Sequence, residues 1–187
     1  MIVPAEVVDY DPHWPLWFEE IRARLTPYLA DLADIADVAD VAVEHVGSTA
    51  VPGLAAKPII DVDVVVASAE LVPTAIARLE AAGYRHEGDL GIPGREAFAL
   101  PPDAVHYHHL YVVVEGNEAY QDHVLLRDHL RANAADRERY AARKRELAHL
   151  LTTDRTAYVS GKGALVEELI ARAGDSAGGG GPGRSGA

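Results

Sequence analysis

Asp61 and Asp63 are the residues of this chain that packing explains least well. They interrupt a β-branched apolar run, residues 59–66, in which Ile59, Ile60, Val62, Val64, Val65 and Val66 have the composition of a buried strand. Side chains alternate across a strand, so residues two apart share a face and both carboxylates point the same way. Two adjacent carboxylates on an apolar strand repel each other and lose hydration. A divalent cation between them would remove that cost. Mg2+ prefers such oxygen ligands when it also holds substrate phosphates.

Gly47 and Ser48 fit the same chemistry. They follow a short apolar strand, residues 41–46, and precede the Asp strand by about a dozen residues. Glycine allows the backbone to approach a ligand closely. Amides at such a turn, with the Ser48 and Thr49 hydroxyls, form a phosphate cradle. Lys57 stands at the mouth of the Asp strand, either as a counter-charge for phosphate or as a solvated surface ammonium. His45 ends the first strand, where it orients the turn or touches the ligand.

A third strand, residues 105–114, carries His106, His108 and His109 with Tyr111 beyond. Alternation sets His109 and Tyr111 on one face and His106 and His108 on the other. His109 is a candidate general base or phosphate contact, with a hydrogen-bonded strand-edge histidine as the bland alternative. Zinc is not expected, because its ligands must converge whereas neighbouring strand residues diverge. In the late helical region Tyr140 with Lys144, and Tyr158 with Lys162, are spaced by four and so share helix faces. A tyrosine to stack a base and a lysine to hold phosphate would suit a nucleotide. A tyrosine in the helix interface beside a solvated lysine is the structural alternative. Gly161-Lys162-Gly163 is not a phosphate loop, since Thr156 and Gly163 stand where that motif needs glycine and Ser or Thr.

The segments His45-Val46-Gly47-Ser48-Thr49, Val51-Pro52-Gly53-Leu54 and Ala56-Lys57-Pro58-Ile59-Ile60-Asp61-Val62-Asp63 together resemble the GrpB-like family, a branch of the nucleotidyltransferase-fold superfamily. Weaker likeness extends from Tyr10 and Trp14 to about Ala173. The resemblance implies a Gly-Ser pair before a strand bearing two metal-binding acids, and often a third acid on a later strand. It also implies recurrence of the Tyr/Lys pairs. Members similar to this chain are expected to have His-Leu-His where it has His109-Leu110-Tyr111. Tyr111 therefore weakens any role needing a second imidazole, and the absence of a third acid there leaves a second metal weakly held.

These residues need a frame. Asp11-Pro12 reads as a helix start, and Trp14, Trp17, Phe18, Ile21, Leu25, Tyr28, Leu29 and Leu32 form one helical stripe, the tryptophans as packing. Residues 30–40, rich in Ala and Asp, extend this helix or link it to the first strand. A helix over 69–82 stops at Gly83, and short strands follow at 84–87 and 95–100, joined by a turn-rich loop. Asn117 caps a helix reaching about 132; further helices cover 134–151 and about 153–173. The expected fold is α+β: a small mixed, nucleotidyltransferase-like sheet flanked by helices, with a helical C-terminal segment. One domain spans 1–173, and the glycine-rich residues 174–187 read as a disordered tail.

The totals narrow the function. A net charge of −12 argues against a broad nucleic-acid groove. The absence of cysteine removes disulfides and thiolate chemistry and suits the cytoplasm. No signal peptide or membrane span is expected. The leading expectation is an Mg2+-dependent transfer from a nucleoside triphosphate to an acceptor the sequence does not name. Asp61 and Asp63 would hold the metal, with Asp61, Asp63 and His109 as catalytic residues. Gly47, Ser48, Thr49, Lys57, Tyr140, Lys144, Tyr158 and Lys162 would bind the nucleotide. Alternatives are a nucleotide- or anion-binding module without catalysis, and a biosynthetic ligase, cyclase or lyase reusing the pocket.

Overall fold

In the computed structural model, which describes residues 3–36 and 41–178, the elements run α1 (Trp14–Ala36), β1 (Ala42–Val46), β2 (Ile60–Val66), α2 (Val72–Ala81), β3 (Arg85–Gly88), β4 (Arg95–Ala99), β5 (His108–Val114), α3 (Glu118–Ala132), α4 (Ala134–Leu147) and α5 (Arg155–Gly178). The five strands form one sheet in the order β1-β2-β5-β4-β3. Only β2 and β5 are parallel; the other neighbours are antiparallel. This is the mixed α+β architecture expected, with helices flanking a small sheet and a helical C-terminal segment.

The alternation in β2 decides which layer covers which face. Val62, Val64 and Val66 are fully buried with Leu110 and Val112 of β5. Against them pack the α1 stripe of Trp14, Phe18, Ile21, Leu25 and Leu32 and the α2 residues Ala75 and Leu79. Each fully buried large apolar side chain contributes about 1.5–3 kcal/mol. Trp17 lies at the rim, stacked on His106 at 4.9 Å, so both tryptophans serve packing. The opposite face carries Asp61 and Asp63. A second cluster beyond it joins Val51, Leu54 and Ala55 to Leu130 of α3, Tyr140 and Ala141 of α4, and Leu169 of α5. The three C-terminal helices thus hold the polar face of the sheet against the turn region.

Several boundaries differ from the sequence reading. β5 begins at His108, because His106 turns to α1 and bonds Glu20 at 2.8 Å. The helix expected over 69–82 opens with a 3-10 turn, Ala69–Leu71, and that over 134–151 ends in another, Ala148–Leu151. α1 takes up residues 30–36, while 37–40 lie outside the described residues. α5 continues to Gly178, so the tail expected from 174 starts helical, and 179–187 lie outside the described residues. Asn117 caps α3 as expected, its Oδ1 accepting the Ala119 N–H at 2.9 Å. Among the described residues no helix is long and apolar enough to cross a membrane.

Asp136 ties the C-terminal helices together. It accepts from His129 of α3 at 2.8 Å, from Arg139 of α4 at 2.9 Å and from Arg172 of α5 at 3.2 Å. The His129 bond, aided by Arg139 and Arg172, outweighs partial burial and holds its carboxyl below the ordinary 3.8. A depressed acid stabilises the native state above the unfolded value and loses that contribution as pH falls through the native one. Asp136→Asn should therefore lower the melting temperature at pH 7 by about 2–8 °C, from roughly 1–2 kcal/mol of charge-assisted bonding. Thermal unfolding across an acid series should show the gap to the native chain closing below pH 3.8.

Candidate active site

The register of β2 on β5 assembles the site. Asp61 lies opposite His109, and Asp63 opposite Tyr111, so all four side chains share one face. A carboxylate can only accept, so His109 Nδ1–H donates to Asp61 Oδ1 at 2.8 Å, which leaves Nε2 outside that bond. From α3, His123 Nδ1–H donates in the same way to Asp63 Oδ2 at 2.8 Å. Asp63 is wholly buried, and its Oδ1 has no hydrogen-bond partner. An orphaned buried carboxylate oxygen is costly unless something else occupies its lone pairs.

The two acids differ electrostatically. Burial pushes Asp61 up, but the hydrogen bond and charge of His109, with His123 and Lys162, bring it below the ordinary value. Burial dominates at Asp63 and, with the neighbouring Asp61 charge, raises it despite His123. Burial lowers His123, yet Asp63 and Asp61 outweigh this and raise it.

Gly47 brings the turn against this pair. Its φ of 71° and ψ of −169° belong to a region open essentially to glycine, and a Cβ there would sit 2.1 Å from Asp61 Oδ2. Ser48 opens the 3-10 turn Ser48–Ala50, and with Gly47, Asp61, His123, Tyr140 and Lys162 it lines a cavity of about 130 Å³. Thr49 departs from expectation as a ligand hydroxyl. It is buried, donates to the Ile59 carbonyl at 3.1 Å and accepts from His45 Nε2–H at 3.0 Å. His45 stacks on Phe18, and burial pushes it down to about 4, so it stays neutral. Both residues brace the turn from behind. Arg127 of α3 braces it from the front, bonding Asp128, Glu44 and the His45 carbonyl.

Cations gather at the Tyr140 and Tyr158 rings, and Lys162 among them lines the cavity. Lys57 and Lys162 lie 5.9 and 5.3 Å from the centre of the Tyr158 ring, and Lys144 lies 4.6 Å from that of Tyr140. Each of the three lysines feels the charge of Asp61. Burial pulls Lys162 down, but Tyr140, Tyr158 and Asp61 outweigh it, so its ammonium is secured. Lys57 is lowered by burial and by Arg155 and Lys162. Lys144 is 2% exposed, its Nζ has no hydrogen bond, and burial beside Lys162 takes it well below 10.5. The tyrosines do not offer open faces for a base. Tyr140 and Tyr158 are buried, Tyr140 inside the second apolar cluster, and their rings meet lysines.

The donors test the implied cation. One oxygen of each carboxylate is spent on histidine, which leaves Asp61 Oδ2 at the Gly47 turn and the orphaned Asp63 Oδ1. Two hard oxygens suit Mg2+, which keeps waters and takes substrate phosphates for the rest of its shell. His106 bonds Glu20, His108 bonds Tyr84, and among the described residues no group of three or more His, Cys, Asp or Glu could hold a metal.

His123 escaped the sequence reading. Its spacing of four from Arg127 on a helix capped at Asn117 was the available signal, since such residues share one helix face. Glu44, opposite Asp63 on β1 and bound to Arg127, was also missed as part of the site.

Comparison with known proteins bears on the whole frame. A family model described as GrpB protein matches residues 4–172. UPF0157 protein YqkA of Bacillus subtilis is 34% identical over 158 residues, covering 84% of this chain but 44% of YqkA, so the chain spans less than half the length of that relative. UPF0157 protein SCO7215 of Streptomyces coelicolor is 39% identical over 167 residues, 89% of this chain and 82% of that protein. The crystal structure of GrpB from Enterococcus faecalis superimposes with a TM-score of 0.77 at 31% identity, over 91% of this chain and 98% of that one.

Proposed function

We propose, for a chain that belongs to the GrpB family, that it binds a nucleoside triphosphate with Mg2+ and transfers the nucleotidyl group to a small acceptor. One observation carries the reading: Asp63, buried with an unbonded oxygen, lies two residues along β2 from Asp61, which lines one cavity with Lys162. Anionic and cationic groups facing each other over a glycine turn suit a ligand that brings phosphates and a cation together. When bound, Mg2+ would neutralise phosphate charge between the two aspartates. Gly47 and Ser48 hold the phosphates by backbone amides and hydroxyl, and Lys57 and Lys162 offset their charge.

His109 acts on the acceptor. Its Nδ1–H is anchored on Asp61, so Nε2 takes the acceptor's proton as the acceptor oxygen or nitrogen bonds to the α-phosphorus. The bond from that phosphorus to the bridging oxygen breaks, and pyrophosphate leaves with the electron pair. Lys144, lowered by burial beside Lys162, would be drawn toward its charged form by an incoming anion. The lack of cysteine agrees with a cytoplasmic setting, where nucleoside triphosphates are abundant.

Calorimetry on the full chain with Mg2+ and each common nucleoside triphosphate tests the reading. Binding should require Mg2+. Lys144→Met should weaken that binding, as loss of a cation beside Lys162 would. Failure of every nucleotide to bind at millimolar concentration would sink the proposal. A second reading, a nucleotide-binding module without catalysis, is favoured by Tyr111, which occupies the position opposite Asp63 where a third acid would complete the site. Mg2+-dependent binding with no pyrophosphate release across a panel of acceptors would select it.

A further inference from the structure

The His109–Asp61 hydrogen bond joins two cavities. Asp61 belongs to the small cavity with Gly47, Ser48 and Lys162, whereas His109 lines a larger one of about 550 Å³ over β4 and β5. Ala97, opposite Tyr111 on β4, contributes only a methyl group to its floor. Tyr107 and Tyr111 flank His109 along the strand, with ring centres 6.1 and 6.2 Å from the imidazole. Leu90, 61% exposed, adds an apolar rim. Arg155, at the start of α5, also lines the cavity, and its exposed guanidinium makes no ion pair among the described residues. Its charge is felt by both Tyr111 and Lys57.

This volume suits a small organic molecule rather than a polymer. The walls supply two phenols, a methyl floor and a leucine, which fit a planar or apolar body. A planar guanidinium without a carboxylate is a receptor for a carboxylate or phosphate. We propose that the cavity is a second ligand site, distinct from the nucleotide cavity, for a small organic anion with an apolar body, and that in the reaction this anion is the acceptor. The anionic group lies at Arg155, the body rests on Ala97 between Tyr107 and Tyr111, and the attacking hydroxyl or amine faces His109. Its role as acceptor rests on the nucleotidyl-transfer reading; its existence as an anion site does not.

Benzoate, phenyl phosphate and neutral benzamide serve as probes, with backbone amide shifts followed by NMR on the full chain. Benzoate or phenyl phosphate should shift the amides of Ala97, Leu110 and Tyr111 at millimolar concentration, and the tighter of the two identifies the anion. Benzamide should bind about tenfold more weakly, and Arg155→Gln should weaken the anion to a similar degree. Equal binding of benzamide and the anions, shifts confined to Gly47 and Ser48, or no effect of Arg155→Gln would overturn the site. Asp61→Asn should keep the anion response. If the native chain binds benzoate in this way but no Mg2+-nucleotide, the anion site stands and the nucleotidyl-transfer reading falls.

Discussion

Asp63→Asn should leave a folded protein whose Mg2+-dependent nucleotide affinity is reduced by about 100-fold or more, beyond the 10–100-fold that disturbing a ligand's hydrogen-bond partner costs. The substitution keeps the shape and lets His123 Nδ1–H still find an oxygen, so the local packing has little reason to change. It removes a buried charge that burial already disfavours and that leaves one oxygen unbonded. On the proposed reading the carboxylate is held for ligand binding at some cost to stability, so the melting temperature should equal or exceed that of the native chain. Asp61→Asn should also lose binding, while its amide oxygen still accepts the His109 Nδ1–H in a weaker, uncharged bond. Calorimetric titration beside thermal unfolding separates these effects. A variant that binds nucleotide as the native chain does would remove Asp63 from the site, whatever its stability.

The sequence carried the parts of this site that depend on strand periodicity. The shared face of Asp61 and Asp63, and the phase of His109 and Tyr111, follow from a period of two. Pairing β2 with β5 then needed only their apolar runs to meet. What could not be read depends on how separate elements are laid over one another. His123 reaches Asp63 only because α3 crosses the sheet with one particular face inward, and a helical period fixes the face but not its azimuth over a strand. Thr49 looked like a ligand hydroxyl because local spacing gives no sign of the Ile59 carbonyl behind it. The tyrosines at spacing four did meet lysines, but burial turned them into supports for cations rather than open stacking faces. The start of β5 was lost to a tertiary contact, His106 on Trp17 and Glu20.

Gly47→Ala should damage both stability and the site, whereas Gly163→Ala should do neither. At Gly47 two costs combine. The backbone conformation is one an L residue adopts only under strain of about 1–3 kcal/mol, and the added methyl overlaps the Asp61 carboxylate, an overpacking of about 1–3 kcal/mol. The carboxylate cannot retreat freely, because His109 bonds its other oxygen and β2 is buried behind it. Relief must come from the turn or from Asp61, and either movement separates Ser48 from the acid pair. A fall of roughly 4–24 °C in melting temperature follows, at 2–4 °C per kcal/mol for a chain of this size. Gly163 sits in α5 with nothing within 4 Å of its notional Cβ, so alanine there should gain about 0.5–1 kcal/mol. If both variants melted alike, Gly47 would be an ordinary turn glycine. If only Gly47→Ala fell yet still bound Mg2+-nucleotide with native affinity, the turn would matter to the fold alone, and the phosphate cradle would have to lie elsewhere along the lysine side of the cavity.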